Sequence, residues 1–123
     1  MMTLVTCFWC KSHESAICAP VWHELQYGCR LLAVGKKRTA LEVYLKEVVH
    51  ASLTVLPYDE VAAAWHGAER ARLEGEGTPV PFVDGQIAAI AKCRDLILVT
   101  ANVKDFRRFE GLRIENWLSG SKK

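Results

Sequence analysis

Four short apolar runs constrain this chain more than any other feature. They lie at residues 15–19, 53–57, 96–100 and 112–114, and each is too short for a stable helix. The first three are separated by long segments with helical apolar spacing. Strands that alternate with helices form a mainly parallel α/β sheet, because each crossover helix returns the chain to the same end.

The intervening segments read as helices. Pro20 suits a first helical turn, where its missing N–H costs nothing. From there Val21, Leu25, Gly28 and Leu32 recur at helical spacing, with Trp22, Cys29 and Leu31 widening the stripe. A second helix is expected over residues 38–50, with Leu41, Tyr44, Leu45 and Val48 on one face. Asp59 is placed to cap an alanine-rich helix over residues 60–74, which Gly75 and Gly77 close. After the breaker-rich Thr78-Pro79-Val80-Pro81 comes a short helix near Asp84, then the strand at 96–100 and a polar turn at 102–106. Residues 3–7 offer a short strand, whereas Cys7 to Glu14 shows no clear period.

Composition excludes several classes. A chain of 123 residues is one domain by length, and half of it is hydrophobic. No apolar run approaches the roughly 20 residues that span a bilayer, and the N-terminus lacks the pattern of a secretory signal. The formal charge of +2 does not by itself argue for nucleic acid. Basic clusters at Lys36-Lys37-Arg38, at Arg70 with Arg72 and at Arg107-Arg108 are candidate phosphate contacts or plain solvated surface. The five scattered cysteines suggest reduced thiols in a cytoplasmic protein rather than a disulfide framework.

Three acids stand near strand ends or helix starts: Glu24, Asp84 and Asp105. Taken alone they read either as an ordinary set (Asp84 a helix cap, Glu24 a solvated residue, Asp105 a turn former) or as ligands of a hard cation. Mg²⁺ takes oxygen ligands and keeps several waters, so two to four acids around a pocket suffice. Open α/β sheets place ligands beyond the carboxyl ends of their strands, where the turn after Thr100 brings Asn102 and Asp105.

Residues 17–118 resemble a PIN domain of the VapC/FitB toxin type from bacterial toxin–antitoxin modules. The resemblance rests on several segments in register. Ala19-Pro20-Val21-Trp22-His23-Glu24-Leu25-Gln26-Tyr27-Gly28 is similar to the strand–helix segment carrying that family's glutamate. Leu56-Pro57-Tyr58-Asp59-Glu60-Val61-Ala62 is similar to the start of its third major helix. Thr78 through Asp84 to Ala89 resembles the loop and helix with a metal-binding aspartate. Val99-Thr100-Ala101-Asn102-Val103-Lys104-Asp105-Phe106 resembles the turn with the last acidic place, and residues 112–118 the usual tail.

The resemblance implies a three-layer α/β/α fold with a mainly parallel central sheet and a Mg²⁺-dependent ribonuclease, with Mn²⁺ as the alternative ion. It implies a homodimer held inactive by a cognate antitoxin, with RNA as substrate and no membrane. Residues 1–14 then form an atypical N-terminal segment, 15–118 the PIN-like domain and 119–123 a polar tail. By position, Asp84 binds metal, Glu24 binds through water or positions the nucleophile, and Asp105 completes the acidic pocket. Asn102 stands where some relatives have aspartate and is suited to hold water or phosphate; Thr100 is a supporting polar residue.

One departure stands out. Relatives begin with an apolar strand ending in aspartate, followed by two helices, whereas this chain has no aspartate before Asp59. Only about eight residues would part a strand at 3–7 from the next, too few for a parallel crossover. A hairpin or an irregular N-terminus is expected, and a truncated, frameshifted or misassigned start is the favoured cause. An unfilled central slot would leave two apolar strand edges open. The missing aspartate motivates a second reading, a catalytically impaired remnant that binds antitoxin or RNA without cleavage. Cys7-x-x-Cys10-x-x-His13, with Cys18, has a loosely zinc-like spacing and motivates a third; incidental thiols are the plainer account. Trp22 and Trp117 are expected in the core or facing a partner, and His23 as a surface or packing residue rather than a general base.

Overall fold

The structure is a computed structural model that describes residues 15–116 in full, and residues 7–9 and 121–122 as backbone. A six-stranded sheet has the order β3-β2-β1-β4-β5-β6. Its strands are β1 (Cys7–Trp9), β2 (Ser15–Cys18), β3 (Thr54–Leu56), β4 (Ile97–Val99), β5 (Arg113–Asn116) and β6 (Ser121–Lys122). β2 pairs with β3, and β4 with β5, in parallel, as the strand–helix alternation predicts.

The centre of the sheet holds the main surprise. β1 lies between β2 and β4 and is antiparallel to both, pairing Phe8 with Ala16 and with Leu98. A hairpin needs only a short connection, so the crossover that so few residues cannot make is avoided. The slot between two apolar strand edges is thereby filled. The segment from Cys7 onward has no period because a three-residue strand is too short to show one; its two neighbours impose the extended state. Residues 3–6, Cys10 and His13 lie outside the described residues, and so do Trp117 and Leu118.

The helices are α1 (Ala19–Leu31), α2 (Lys36–Tyr44), α3 (His50–Ser52), α4 (Glu60–Gly75), α5 (Phe82–Cys93) and α6 (Val103–Phe106). A π-helical segment over Leu45–Val49 joins α2 to α3, so residues 36–52 form one helical stretch. Its extra residue per turn breaks the expected face. Leu45 is buried and Leu41 half-buried, but Tyr44 and Val48 are exposed. The stripe on α1 is likewise narrower than its spacing predicts. Val21 and Cys29 are buried, while Trp22 and Leu25 pack half-buried against the core; Leu31 and Leu32 face solvent.

α4 begins as expected: Asp59 is its cap, and its Oδ1 accepts the Ala62 N–H at 2.9 Å. α5 begins two residues before Asp84, with Pro81 preceding its first turn, so Asp84 is the third helical residue and not the cap. Ile87, Ala88, Ala89, Ile90 and Ala91 of α5 are all fully buried, a consequence of its position inside the fold between α4, α1 and β4. β4 is buried along its whole length, as a central parallel-paired strand covered on both faces must be. Asp95 takes a left-handed conformation at φ 56° between α5 and β4. Arg113 Nη2 donates to both its carbonyl and its carboxylate, which ties that turn to β5.

Candidate functional site

The site assembles where α5, α6 and the end of β4 meet. Thr100 follows β4 directly and is buried. Its Oγ1 accepts the Asn102 N–H at 3.0 Å, and its own N–H donates to the Glu115 carbonyl at 3.0 Å. These bonds fix the exit from β4. Asn102 then begins α6, and its carbonyl accepts the Asp105 N–H at 3.1 Å. The turn expected at 102–106 is thus a single helical turn presenting Asp105.

Asp84 sits in the first turn of α5, half-buried, and α5 packs on α6. Two effects oppose at its carboxyl. The free N–H groups of a helix start favour the ionised form. Burial disfavours it, and the negative charge of Asp105 disfavours it further; these two win, and the Asp84 pKa is raised above its ordinary value. Two carboxylates within electrostatic reach of one another, one of them partly desolvated, make an arrangement that a cation relieves.

Glu24 lies on α1, which also packs on α5. Its carboxylate is 3.5 Å from Nδ1 of the neighbouring His23, and both side chains are substantially exposed. Among the described residues no three of His, Cys, Asp and Glu converge closely enough to hold a metal. The structure therefore brings Asp84 within electrostatic reach of Asp105, and Glu24 does not converge with them. Such a pair fits Mg²⁺, which commonly takes one or two carboxylates and completes its shell with water and phosphate oxygens. Burial pushes the Cys18 thiol up to about 12, and among the described residues it joins no group of three His, Cys, Asp or Glu that could hold a metal.

Sequence reasoning missed the residues that hold α5 in place. His66 of α4 is 2% exposed, and its Nδ1 is 2.7 Å from the Tyr58 hydroxyl. A Cβ added at Gly85, the residue after Asp84, would collide with the His66 imidazole. The same imidazole lies 4.8 Å from the Phe82 ring, and the Arg70 guanidinium sits 5.3 Å from that ring's centroid. Gly85 following Asp84 and His66 within an alanine-rich helix were the only sequence signals. Neither pairs with the other by any local spacing.

Residues 8–112 match the PIN domain. The chain belongs to the PIN-domain family, of the VapC/FitB toxin type. It is 40% identical over 95 residues to the tRNA(fMet)-specific endonuclease VapC of Salmonella typhimurium, covering 76% of this chain and 68% of that protein. Among solved structures, FitAcB from Neisseria gonorrhoeae aligns with a TM-score of 0.77 at 29% identity, covering 82% of this chain and 73% of that one. DNA-bound VapBC from Salmonella typhimurium aligns with a TM-score of 0.72 at 37% identity, covering 83% and 74%. These PIN-domain relatives include named ribonucleases and components of toxin–antitoxin complexes.

Proposed function

We propose that this PIN domain is the toxin of a toxin–antitoxin pair and hydrolyses RNA phosphodiester bonds with Mg²⁺. The observation that carries the reading is the juxtaposition of Asp84 and Asp105 beyond the end of β4. Their oxygens would hold the ion, with Glu24 reaching it through water, and Mn²⁺ is the natural substitute. Bound there, the ion would activate water and neutralise charge on the phosphate under in-line attack. The chain's own groups do the positioning. The Thr100 hydroxyl fixes the turn that presents Asp105. The Asn102 amide is placed to bind a water or a phosphate oxygen. Lys104 and Arg107 are exposed on either side of Asp105 and have no ion-pair partner among the described residues, which leaves them for the phosphates of a bound strand.

An antitoxin partner follows from the family, since the solved relatives are toxin–antitoxin complexes. Tyr27 and Leu31 of α1, Val34 of the turn after it, and Tyr44 and Val48 of the helical stretch that follows are exposed apolar side chains. A homodimer and the antitoxin are the partners proposed for such surfaces. No helix among the described residues is long and apolar enough to cross a membrane. Free Cys18, Cys29 and Cys93 suit the reducing cytoplasm proposed as its compartment.

A second reading has its own observation: Glu24 does not converge with Asp84 and Asp105, as a complete acidic cluster would. On that reading the chain is an impaired remnant that binds antitoxin or RNA without cutting. The purified chain incubated with RNA in Mg²⁺ and in EDTA separates the two. Cleavage that EDTA abolishes and Mg²⁺ restores supports the nuclease; retained RNA or antitoxin binding without cleavage supports the remnant.

A further inference from the structure

Phe82 is a large aromatic residue left 49% exposed on the first turn of α5, two residues before Asp84. Its setting differs from that of the other exposed apolar side chains. Tyr27 and Leu31 lie on α1, Val34 in the turn after it, Tyr44 and Val48 on the helical stretch that follows, and Val61 on α4. Phe82 stands in the same first turn as Asp84 and packs against His66 and Arg70 of α4. The His66 ring supports it from the core side, with centroids 4.8 Å apart and planes at 51°. His66 is itself fixed by the Tyr58 hydroxyl and by close contact with Gly85. The Arg70 guanidinium lies over the Phe82 ring at 5.3 Å, and its Nε donates to Glu74 at 3.1 Å. That bond uses one of five guanidinium N–H donors and leaves others free to reach a phosphate.

We propose that Phe82 and Arg70 form a nucleotide-binding platform, on which an unpaired base of the RNA next to the scissile phosphate stacks while its phosphate meets Arg70. This rests on the ribonuclease reading and adds a substrate contact outside the carboxylate pair. A rigid, half-exposed aromatic ring with a cation at its face is the element that single-stranded nucleic-acid sites use to hold bases without reading their sequence. Phe82 and Asp84 lie two residues apart in the first turn of α5, about 3 Å along its axis. A nucleotide's length thus separates their positions, although their side chains leave the helix in different directions. Two other arginines are less available. Arg72 is committed to Glu69, Glu76 and the Arg108 carbonyl, and Arg38 to Glu42.

The test uses the full chain and a single-stranded oligoribonucleotide carrying 5-iodouridine at successive positions. Ultraviolet crosslinking in EDTA, mapped by mass spectrometry, should place one position on Phe82. In Mg²⁺, Phe82→Ala should raise KM for the unmodified oligonucleotide by roughly 5- to 150-fold with kcat nearly unchanged, as loss of one stacked base implies. Phe82→Tyr and Phe82→Trp should restore it, which a variant that merely unfolds would not show. Arg70→Ala should raise KM and flatten its dependence on salt. Wild-type cleavage with unaltered KM in Phe82→Ala, or crosslinks confined to other residues, overturns the platform and leaves the nuclease standing. That result would also point to Phe82 as a protein-facing residue. A wild-type chain that neither binds nor cleaves RNA overturns both.

Discussion

At the scale of single residues, Asp84 carries the argument. Its raised pKa means that the folded protein holds a proton there more tightly than the unfolded chain does. The cost of ionising it in the fold is absent below its ordinary pKa, grows as pH rises toward the raised value, and is fully present above it. At neutral pH without metal, Asp84→Asn should therefore raise the melting temperature. Mg²⁺ should raise that of the wild type and leave the variant where it was. Thermal melts in EDTA and in Mg²⁺ check both, and the pattern is the usual opposition of stability and function at a charged site. His66 makes the opposite case. Burial, and then the charge of Arg70, lower its pKa, so folding favours the neutral ring. Its contribution is intact above about 6.5, the unfolded value, and is lost as pH falls toward the lowered one. Melting temperatures at pH 7.5 and 5.5 should diverge more in the wild type than in His66→Gln.

At the scale of elements, α5 depends on a contact that no local pattern foretells. Gly85→Ala forces its new methyl into the His66 ring, and overpacking of this kind costs about 1–3 kcal/mol. Chemical denaturation should show that loss in the single variant and a much smaller one when Gly85→Ala is made in a His66→Ala background. The strands and most helices were legible because their signals are local. Asp59 is a capping side chain, residues 97–99 are an unbroken apolar run, and Pro20 opens a helix. The faces of α1 and α2 were not, since a π-helical insertion and an unburied helix end both break a regular period. β1 was illegible for a further reason: three residues become a strand only because β2 and β4 stand on either side. Phe8→Pro removes a ladder donor at the centre of the sheet and should abolish cooperative folding or sharply lower the melting temperature. Ser121→Pro on the edge strand β6 should cost far less, and circular dichroism melts distinguish them.

At the scale of the molecule, a PIN domain closes its sheet with an antiparallel central strand and still sets Asp84 against Asp105 beyond β4. Asp84 and Asp105 were singled out by residue type and by a resemblance in register. Their geometry was not readable, because the approach of α5 to α6 depends on long-range packing around Gly85, Phe106 and Phe109. Whether three carboxylates or two do the work is a question about Glu24. Glu24→Gln should slow cleavage without abolishing Mg²⁺ binding, whereas Asp105→Asn should weaken both, as titration calorimetry alongside cleavage rates would show. The most direct test of the central claim is single-turnover cleavage of RNA by the full chain, with the product ends identified. A metal-activated water predicts Mg²⁺-dependent cleavage that leaves no 2′,3′-cyclic phosphate and that Asp84→Asn slows by at least about 100-fold. Equal rates in the two proteins, or cyclic ends formed in EDTA, would contradict it.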